Sequence, residues 1–127
     1  MQPRMKIWLE REDKLALSDY RLRLLRAVAA TGSLASAAEE LGLSYRRAWG
    51  KVREIEKNLG YKLIESSAGG VGGGGSQLTP DGEALLDRYD RFARESRAVV
   101  AHLYDEIFSS ETPTKPASVR SDRGGPR

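Results

Sequence analysis

SLASAAEELGLSYRRAWGKVREIEKNLG, residues 33–60, is the stretch that decides the fold. Ser33 and Ser44 each stand before a helix-forming run, where a serine hydroxyl can cap the first turn of a helix. Between the two runs, Gly42 suits the left-handed backbone conformation of a tight turn. Two short helices joined in this way are the sequence pattern of a helix-turn-helix.

The second helix of this pair separates its residues by face, with apolar positions three or four residues apart. The positions expected to face the core are Tyr45, Ala48, Val52, Ile55 and Leu59. The opposite, basic face holds Arg46, Gly50, Arg53 and Lys57, with Arg47 and Glu54 on its flank. Arginine donates hydrogen bonds in pairs and therefore suits guanine edges and phosphates.

The basic face has two interpretations. A charged helical face is often only a solvated surface. Gly50 stands in the middle of this face, however, and glycine in an exposed helix costs about 1 kcal/mol relative to alanine. Together with the helix-turn-helix spacing, this glycine favours close approach to a DNA duplex.

Trp49 lies at the margin between the core face and the basic face. The pattern favours half-buried packing against the helix predicted over 34–41. A contact with a sugar or a thymine methyl group is the alternative.

Around the helix-turn-helix the sequence predicts further short elements and a glycine-rich loop. The predicted strands are 5–11, 61–66 and 77–79, and a helix is expected from a cap at Ser18 or Asp19 to about Ala30, with Leu17, Leu24 and Val28 on one apolar stripe. The segment 68–76 contains six glycines and no charged residue, which predicts a flexible loop at the tip of a wing. Its formal matches to dinucleotide and phosphate-loop patterns are rejected, because neither opens into a helix and the phosphate-binding lysine is missing.

A long helix is predicted from Pro80 to Phe108, followed by a disordered tail over 109–127. A heptad-like spacing on this helix predicts a homodimer interface. The residues of this predicted seam are Leu85, Tyr89, Phe92, Val99 and Leu103. The predicted division is a DNA-binding domain over 1–79, a dimerisation helix over 80–108 and the tail. His102, the only histidine, is expected at the surface or the seam.

Composition limits the classes of protein that remain. The chain has 127 residues and a net charge of 21 − 18 = +3, and it lacks cysteine, which excludes disulfides and thiolate metal sites. The longest apolar runs are four residues, so we expect no membrane span and a cytoplasmic protein. No convergent catalytic set is evident, so we expect neither an enzyme nor a bound cofactor.

Four segments carry a resemblance to a known family. They are residues 34–43, SYRRAW at 44–49, ESSAGGVGGGG at 65–75 and Leu78-Thr79. Over about residues 5–108, the chain resembles the amino-terminal domain of the ModE-type molybdate-responsive regulators. It is more distantly similar to the winged helices of LysR-type regulators.

The resemblance implies a mainly helical winged helix-turn-helix with a small β-wing, which binds a palindromic site on double-stranded DNA as a homodimer. It places Ser44, Tyr45, Arg46, Arg47 and Gly50 at the major groove, with Arg53 and Lys57 farther along the same face. It places the wing at the DNA backbone, through Gly69, Gly70, Gly72, Gly73, Gly74, Gly75 and Ser76.

Two departures from the family pattern leave alternatives open. Only the tail follows the long helix, where the family carries a molybdate-binding sensor, which predicts a stand-alone form. Val71 and Ser66 stand where the family's wing usually carries basic residues. The alternatives are a DNA-binding module that depends on a separate effector protein, and a regulator that senses molybdate or tungstate at its dimer interface.

Overall fold

The computed structural model describes residues 1–70 and 73–109. Its elements are β1 (Trp8–Arg11), β2 (Lys14–Ser18), α1 (Asp19–Thr31), α2 (Leu34–Glu40), α3 (Tyr45–Leu59), β3 (Ile64–Gly70), β4 (Gly73–Leu78) and α4 (Pro80–Phe108). One compact unit is Lys6–Ala93, and a second comprises Met1–Met5 with residues from Arg94 onward. Within the described ranges, no helix is both long enough and apolar enough to cross a membrane.

Serine caps begin all three helices of the helix-turn-helix unit, as the sequence predicts. The Ser18 hydroxyl accepts a hydrogen bond from the backbone N–H of Arg21 at 3.2 Å, so Ser18 rather than Asp19 is the cap of α1. The Ser33 and Ser44 hydroxyls make the same contact for α2 and α3, each at 3.1 Å. Gly42 has the predicted left-handed backbone, with a φ of 69°.

One core holds these helices together. Ala37 and Ala38 of α2 are buried, and their small side chains let α3 cross closely. The largest fully buried side chains are Leu17, Leu22, Leu24, Leu25, Leu34, Ile55, Leu63, Ile64, Val28 and Val52.

The structure has a two-stranded hairpin at the amino terminus, where the sequence predicted a single strand over 5–11. β1 pairs antiparallel with β2, so Leu17 lies on a strand and not on the stripe of the first helix. Glu12 and Asp13 form the connection, with φ angles of 53° and 65°. Two consecutive positive φ values match a two-residue type I′ turn, which usually carries asparagine or glycine. Because Glu-Asp lacks that signature, the sequence pattern did not reveal the hairpin.

The wing corrects the prediction of a flexible loop over 68–76. β3 pairs antiparallel with β4 from Ile64 opposite Leu78 to Gly70 opposite Gly73, so the strands continue into the glycines. Strand pairing uses backbone groups, which glycine retains. Gly72 and Val71 lie outside the described residues, as do residues 110–127 of the predicted tail.

The first turn of α4 packs directly against the start of the wing. A Cβ atom added to Gly82 would lie 2.5 Å from the backbone oxygen of Leu63. The Thr79 hydroxyl accepts a hydrogen bond from the Gly82 N–H at 2.9 Å and donates one to the Lys62 oxygen at 2.8 Å. Glycine at this position therefore lets α4 begin in contact with the strand.

We expect Gly82→Ala to destabilise the protein, because the new methyl group must displace backbone atoms. Overpacking of this kind costs about 1–3 kcal/mol, which exceeds what alanine gains in helix propensity. Gly50→Ala is the matched control, since nothing lies within 4 Å of the added Cβ, and it should raise stability by about 1 kcal/mol. Urea unfolding of both variants checks this, and a Gly82→Ala protein as stable as wild type would contradict it.

Candidate nucleic-acid interface

The core fixes the orientation of α3. Ala48, Val52 and Ile55 are fully buried, so the opposite side of the helix is turned toward solvent. The exposed residues on and beside that side are Ser44, Arg46, Arg47, Gly50, Arg53 and Lys57. The structure therefore leaves these α3 residues, which are predicted to bind DNA, exposed on the side of the helix away from the core.

The prediction that Tyr45 faces the core is wrong, because its side chain is 53% exposed. It lies in the first turn of α3, where its ring contacts Trp49 edge-on with centroids 6.4 Å apart. Trp49 lies one turn farther along and is the partly buried member of the pair. Tyr45 therefore lies on the protein surface beside Arg46 and Arg47, which are also exposed.

Trp49 packs partly against the core, as the favoured interpretation predicts. The guanidinium carbon of Arg53 lies 5.4 Å from the centre of the indole ring. Such a contact is worth about 0.5–1 kcal/mol at an exposed site. Trp49 thus helps to hold the Arg53 guanidinium over its ring.

The other flank of α3 is tied to α1 and the hairpin by contacts that the sequence pattern did not reveal. Arg21 forms an ion pair with Glu54 at 2.8 Å, with the Arg21 side chain mostly buried. Asn58 donates a hydrogen bond to the Leu15 oxygen at 2.7 Å. Lys51 lies 5.3 Å from the ring centre of Tyr20. The ion pair offsets the negative charge of Glu54, which lies on the flank of the basic face, and so makes that face more attractive to a polyanion.

The wing is anchored beside the amino terminus of α2. The Ser76 N–H donates to the Gly32 oxygen at 2.9 Å. The Glu56 carboxylate accepts the N–H groups of Leu63 and Ile64, at 2.8 and 3.2 Å, and so links α3 to the start of β3. Of the predicted wing residues, Gly69 and Gly70 lie in β3 and Gly73, Gly74, Gly75 and Ser76 in β4.

The structure buries some residues of the predicted dimer seam and leaves others exposed. Tyr89 is buried in its own chain, where its hydroxyl donates to the Ile7 oxygen at 2.9 Å. Leu85 is partly buried against the same core. The exposed seam residues are Phe92 at 51%, Val99 at 65% and Leu103 at 49%, joined by Ile107 at 59%. Ile107 continues the same exposed stripe along α4.

His102 lies on the exposed surface of α4, as predicted. Its side chain is 79% exposed, and its Nε2 lies 3.9 Å from the Glu106 carboxylate one turn away.

Comparison with known proteins places this geometry in a family. Residues 20–83 match the model of the bacterial regulatory helix-turn-helix proteins of the lysR family. The DNA-binding transcriptional dual regulator ModE of Escherichia coli (strain K12) is 33% identical over 106 residues, which are 84% of this chain and 40% of ModE. The molybdenum-pterin-binding protein MopB of Rhodobacter capsulatus is 44% identical over 69 residues, 54% of this chain and 26% of MopB.

A solved structure shares the fold. The crystal structure of full-length CbnR with its target DNA is similar with a TM-score of 0.51 and 27% identity, over 68% of this chain and 28% of CbnR. The chain thus spans well under half the length of each of these three proteins.

Proposed function

Because the chain belongs to the bacterial regulatory helix-turn-helix proteins of the lysR family, we propose that it regulates transcription by binding specific double-stranded DNA. The observation that carries the proposal is the exposed basic face of α3, with Gly50 at its centre. Both the ModE relative and CbnR are described as acting on DNA, which agrees with this assignment. In this role the protein is a regulator and not an enzyme.

We assign separate tasks to the two ends of α3. Helix-turn-helix proteins read base edges with the first residues of the recognition helix. Ser44, Arg46 and Arg47 occupy that end, so they are placed to contact bases. Arg53 and Lys57 lie about two and about three turns beyond Arg47, where a straight helix leaves the groove and meets phosphates. Gly50 lets the duplex approach between the two groups.

Selection from a randomised duplex library tests the proposal. We expect the purified protein to enrich one sequence with two inverted half-sites, because a homodimer reads both halves with the same helix. Footprinting of that sequence should protect both half-sites. Recovery of a pool with no common sequence would refute specific binding.

Lys57→Ala should weaken binding to every duplex and make its salt dependence shallower. The plot of log affinity against log salt concentration should lose about 0.9 in slope for each phosphate contact removed, or about 1.8 for a dimer. Arg88→Ala, which removes an exposed charge from α4, is the control and should leave the slope unchanged. A Lys57→Ala protein that loses sequence discrimination at an unchanged slope would contradict the phosphate assignment.

A response to molybdenum oxyanions is a second candidate function. The observation that favours it is the similarity to MopB, which is described as a molybdenum-pterin-binding protein. Titration with molybdate and tungstate tests it, since a ligand at 100 times its dissociation constant stabilises the folded state by about 2.7 kcal/mol. Sulfate is the control, and an unchanged melting temperature with all three anions would refute it.

A further inference from the structure

The outer face of the amino-terminal hairpin carries large apolar side chains that the core does not cover. Trp8 of β1 is 54% exposed, Leu15 of β2 is 36% exposed, and Tyr20, in the first turn of α1, is 41% exposed. These three residues line the hairpin groove, a depression of about 430 Å³. The other residues of its lining are Lys6, Ile7, Glu10, Ser18 and Asp19. Tryptophan and tyrosine are enriched where proteins meet, which makes the hairpin groove a candidate contact surface.

A β-bulge is the reason that Leu15 faces the hairpin groove. Leu9 of β1 pairs with Leu17 of β2. The next residue of β1, Glu10, pairs with Leu15, so Ala16 is an extra residue in β2. Ala16 and Leu17 are consecutive and both buried. In a regular strand Leu15 would share the inward face of Leu17, whereas the bulge turns its side chain toward solvent.

Hydrogen bonds hold the hairpin in place against its neighbours. The Leu15 oxygen accepts one hydrogen bond from the Arg21 side chain at 2.8 Å and another from the Asn58 side chain at 2.7 Å. The indole N–H of Trp8 donates to the Glu10 carboxylate at 3.1 Å, which restricts the orientation of the ring. A surface that is ordered before binding loses less conformational entropy when a partner arrives.

Positive charges without ion pairs accompany the hairpin groove. The Lys51 ammonium lies 5.3 Å, and the Arg23 guanidinium carbon 5.8 Å, from the centre of the Tyr20 ring. Lys6 belongs to the lining itself. Within residues 1–70 and 73–109, none of these three cations forms an ion pair. Because two of them stand at Tyr20 and the third in the lining, they suit a partner that carries more than one carboxylate.

The negative charges near the hairpin groove are either hydrogen-bonded or at its far end. The Glu10 carboxylate accepts the indole N–H, and the Asp19 carboxylate accepts a hydroxyl of α4 at 3.2 Å. Glu12 and Asp13 form the turn of the hairpin, which is the end remote from Tyr20. Carboxylates of a partner are therefore favoured at the Tyr20 end and repelled at the turn.

We propose that the hairpin groove binds a segment of a partner protein that carries a large apolar side chain flanked by carboxylates. The apolar side chain lies on Trp8, Leu15 and Tyr20, and the carboxylates lie beside the three unpaired cations. None of the lining residues belongs to the exposed basic face of α3. The proposed contact is therefore separate from the proposed DNA-binding surface, and it stands or falls independently of DNA binding.

Selection from a phage-displayed library of random linear peptides, with the whole chain immobilised, tests the proposal. We expect the enriched peptides to place leucine, phenylalanine or tryptophan next to aspartate or glutamate. The most enriched peptide, synthesised with a fluorescent label, is then the probe for affinity measurements by anisotropy. Recovery of no enriched peptide, or of peptides without acidic residues, would overturn the proposal.

Alanine variants locate the peptide on the protein. Trp8→Ala and Tyr20→Ala should each lower affinity for the labelled peptide by about tenfold or more, as for residues at the centre of an interface. Ile107→Ala is the matched control, since Ile107 is 59% exposed on α4 and does not line the groove. Melting temperatures report the folding of each variant. Wild-type affinity in both aromatic variants, or a loss in Ile107→Ala alone, would place the peptide elsewhere.

A pair of lysine variants tests the charge component. Lys51→Ala should lower affinity for the labelled peptide about two- to fivefold, the value of an exposed ion pair. Lys14→Ala removes the same charge from an exposed position next to the hairpin turn and should leave the affinity unchanged. An equal loss in both variants would indicate attraction to net charge alone and would contradict the proposed position of the carboxylates.

A second copy of the chain is the other occupant to distinguish. Sedimentation velocity without peptide should give the same mass for Trp8→Ala as for wild type. A smaller mass for Trp8→Ala would show that the hairpin groove is a contact between copies of this chain, which would overturn the proposal.

Discussion

Replacing both Arg46 and Arg47 with alanine is expected to reduce affinity for the selected duplex by about 30-fold or more, because each base-reading arginine contributes about 1–3 kcal/mol. Both side chains are exposed in the first turn of α3, and neither makes an ion pair within the described residues. They are therefore free to enter the major groove. Discrimination between selected and scrambled duplexes should fall with affinity, because base contacts carry sequence information.

Fluorescence anisotropy with labelled selected and scrambled duplexes measures both quantities. The Arg88→Ala protein controls for the loss of an exposed positive charge away from α3. Folding should be unaffected, since the cap of α3 uses the backbone N–H of Arg47 and the hydroxyl of Ser44. Wild-type affinity in the double variant would show that the first turn of α3 does not read the groove.

Local signals explain why the helices could be predicted closely from the sequence. The caps Ser33 and Ser44 and the turn residue Gly42 act within a few residues of their own positions. Pro80 and the acidic residues after it mark the start of α4 just as locally. A feature specified by its nearest neighbours can be found without knowledge of the tertiary structure.

Contacts between distant segments explain what the sequence did not reveal. The fit of Gly82 against Leu63 and the bond from Tyr89 to Ile7 join segments far apart in the chain. Such contacts leave no periodic signal. A glycine three residues into a predicted helix was nonetheless a usable sign, because glycine lowers helix stability and a close approach compensates for it.

The candidate site likewise has parts that local sequence signals predict and parts that depend on contacts between distant segments. The 3.6-residue period of α3 predicted its buried and exposed faces, and only Tyr45, at the first turn, was misplaced. The pairing that sets Ser66 opposite Ser76 in the wing was not predicted, because it depends on the register of β3 against β4. A glycine-rich segment has few apolar side chains, so it lacks the alternating pattern from which the strand register could be predicted.

The exposed apolar stripe on α4 leads to a second prediction, which concerns the oligomeric state of the protein. Phe92, Val99, Leu103 and Ile107 lie along one side of the helix and are all about half exposed or more. Large apolar side chains exposed at helical spacing along one side of a helix indicate a protein interface. The same stripe on a second copy provides a surface of matching chemistry, as a two-fold symmetric dimer requires.

We propose that this stripe forms a homodimer interface. Phe92→Glu combined with Leu103→Glu is then expected to give a monomer, because the two subunits of such a dimer would bury four carboxylates against apolar side chains. Tyr89 is left unchanged, since its hydrogen bond to Ile7 belongs to the fold of each chain. Ala98→Glu, an exposed substitution off the stripe, is the control. Sedimentation velocity measures the mass, and a dimeric double variant would rule out this interface.

If both half-sites are bound through one dimer, separation of the subunits should also lower affinity for the full duplex by about 10²–10⁴-fold, because each domain then binds without its tethered partner. Affinity for a single half-site should remain that of wild type, since α3 and the wing lie within residues 6–93, which form a compact unit of their own.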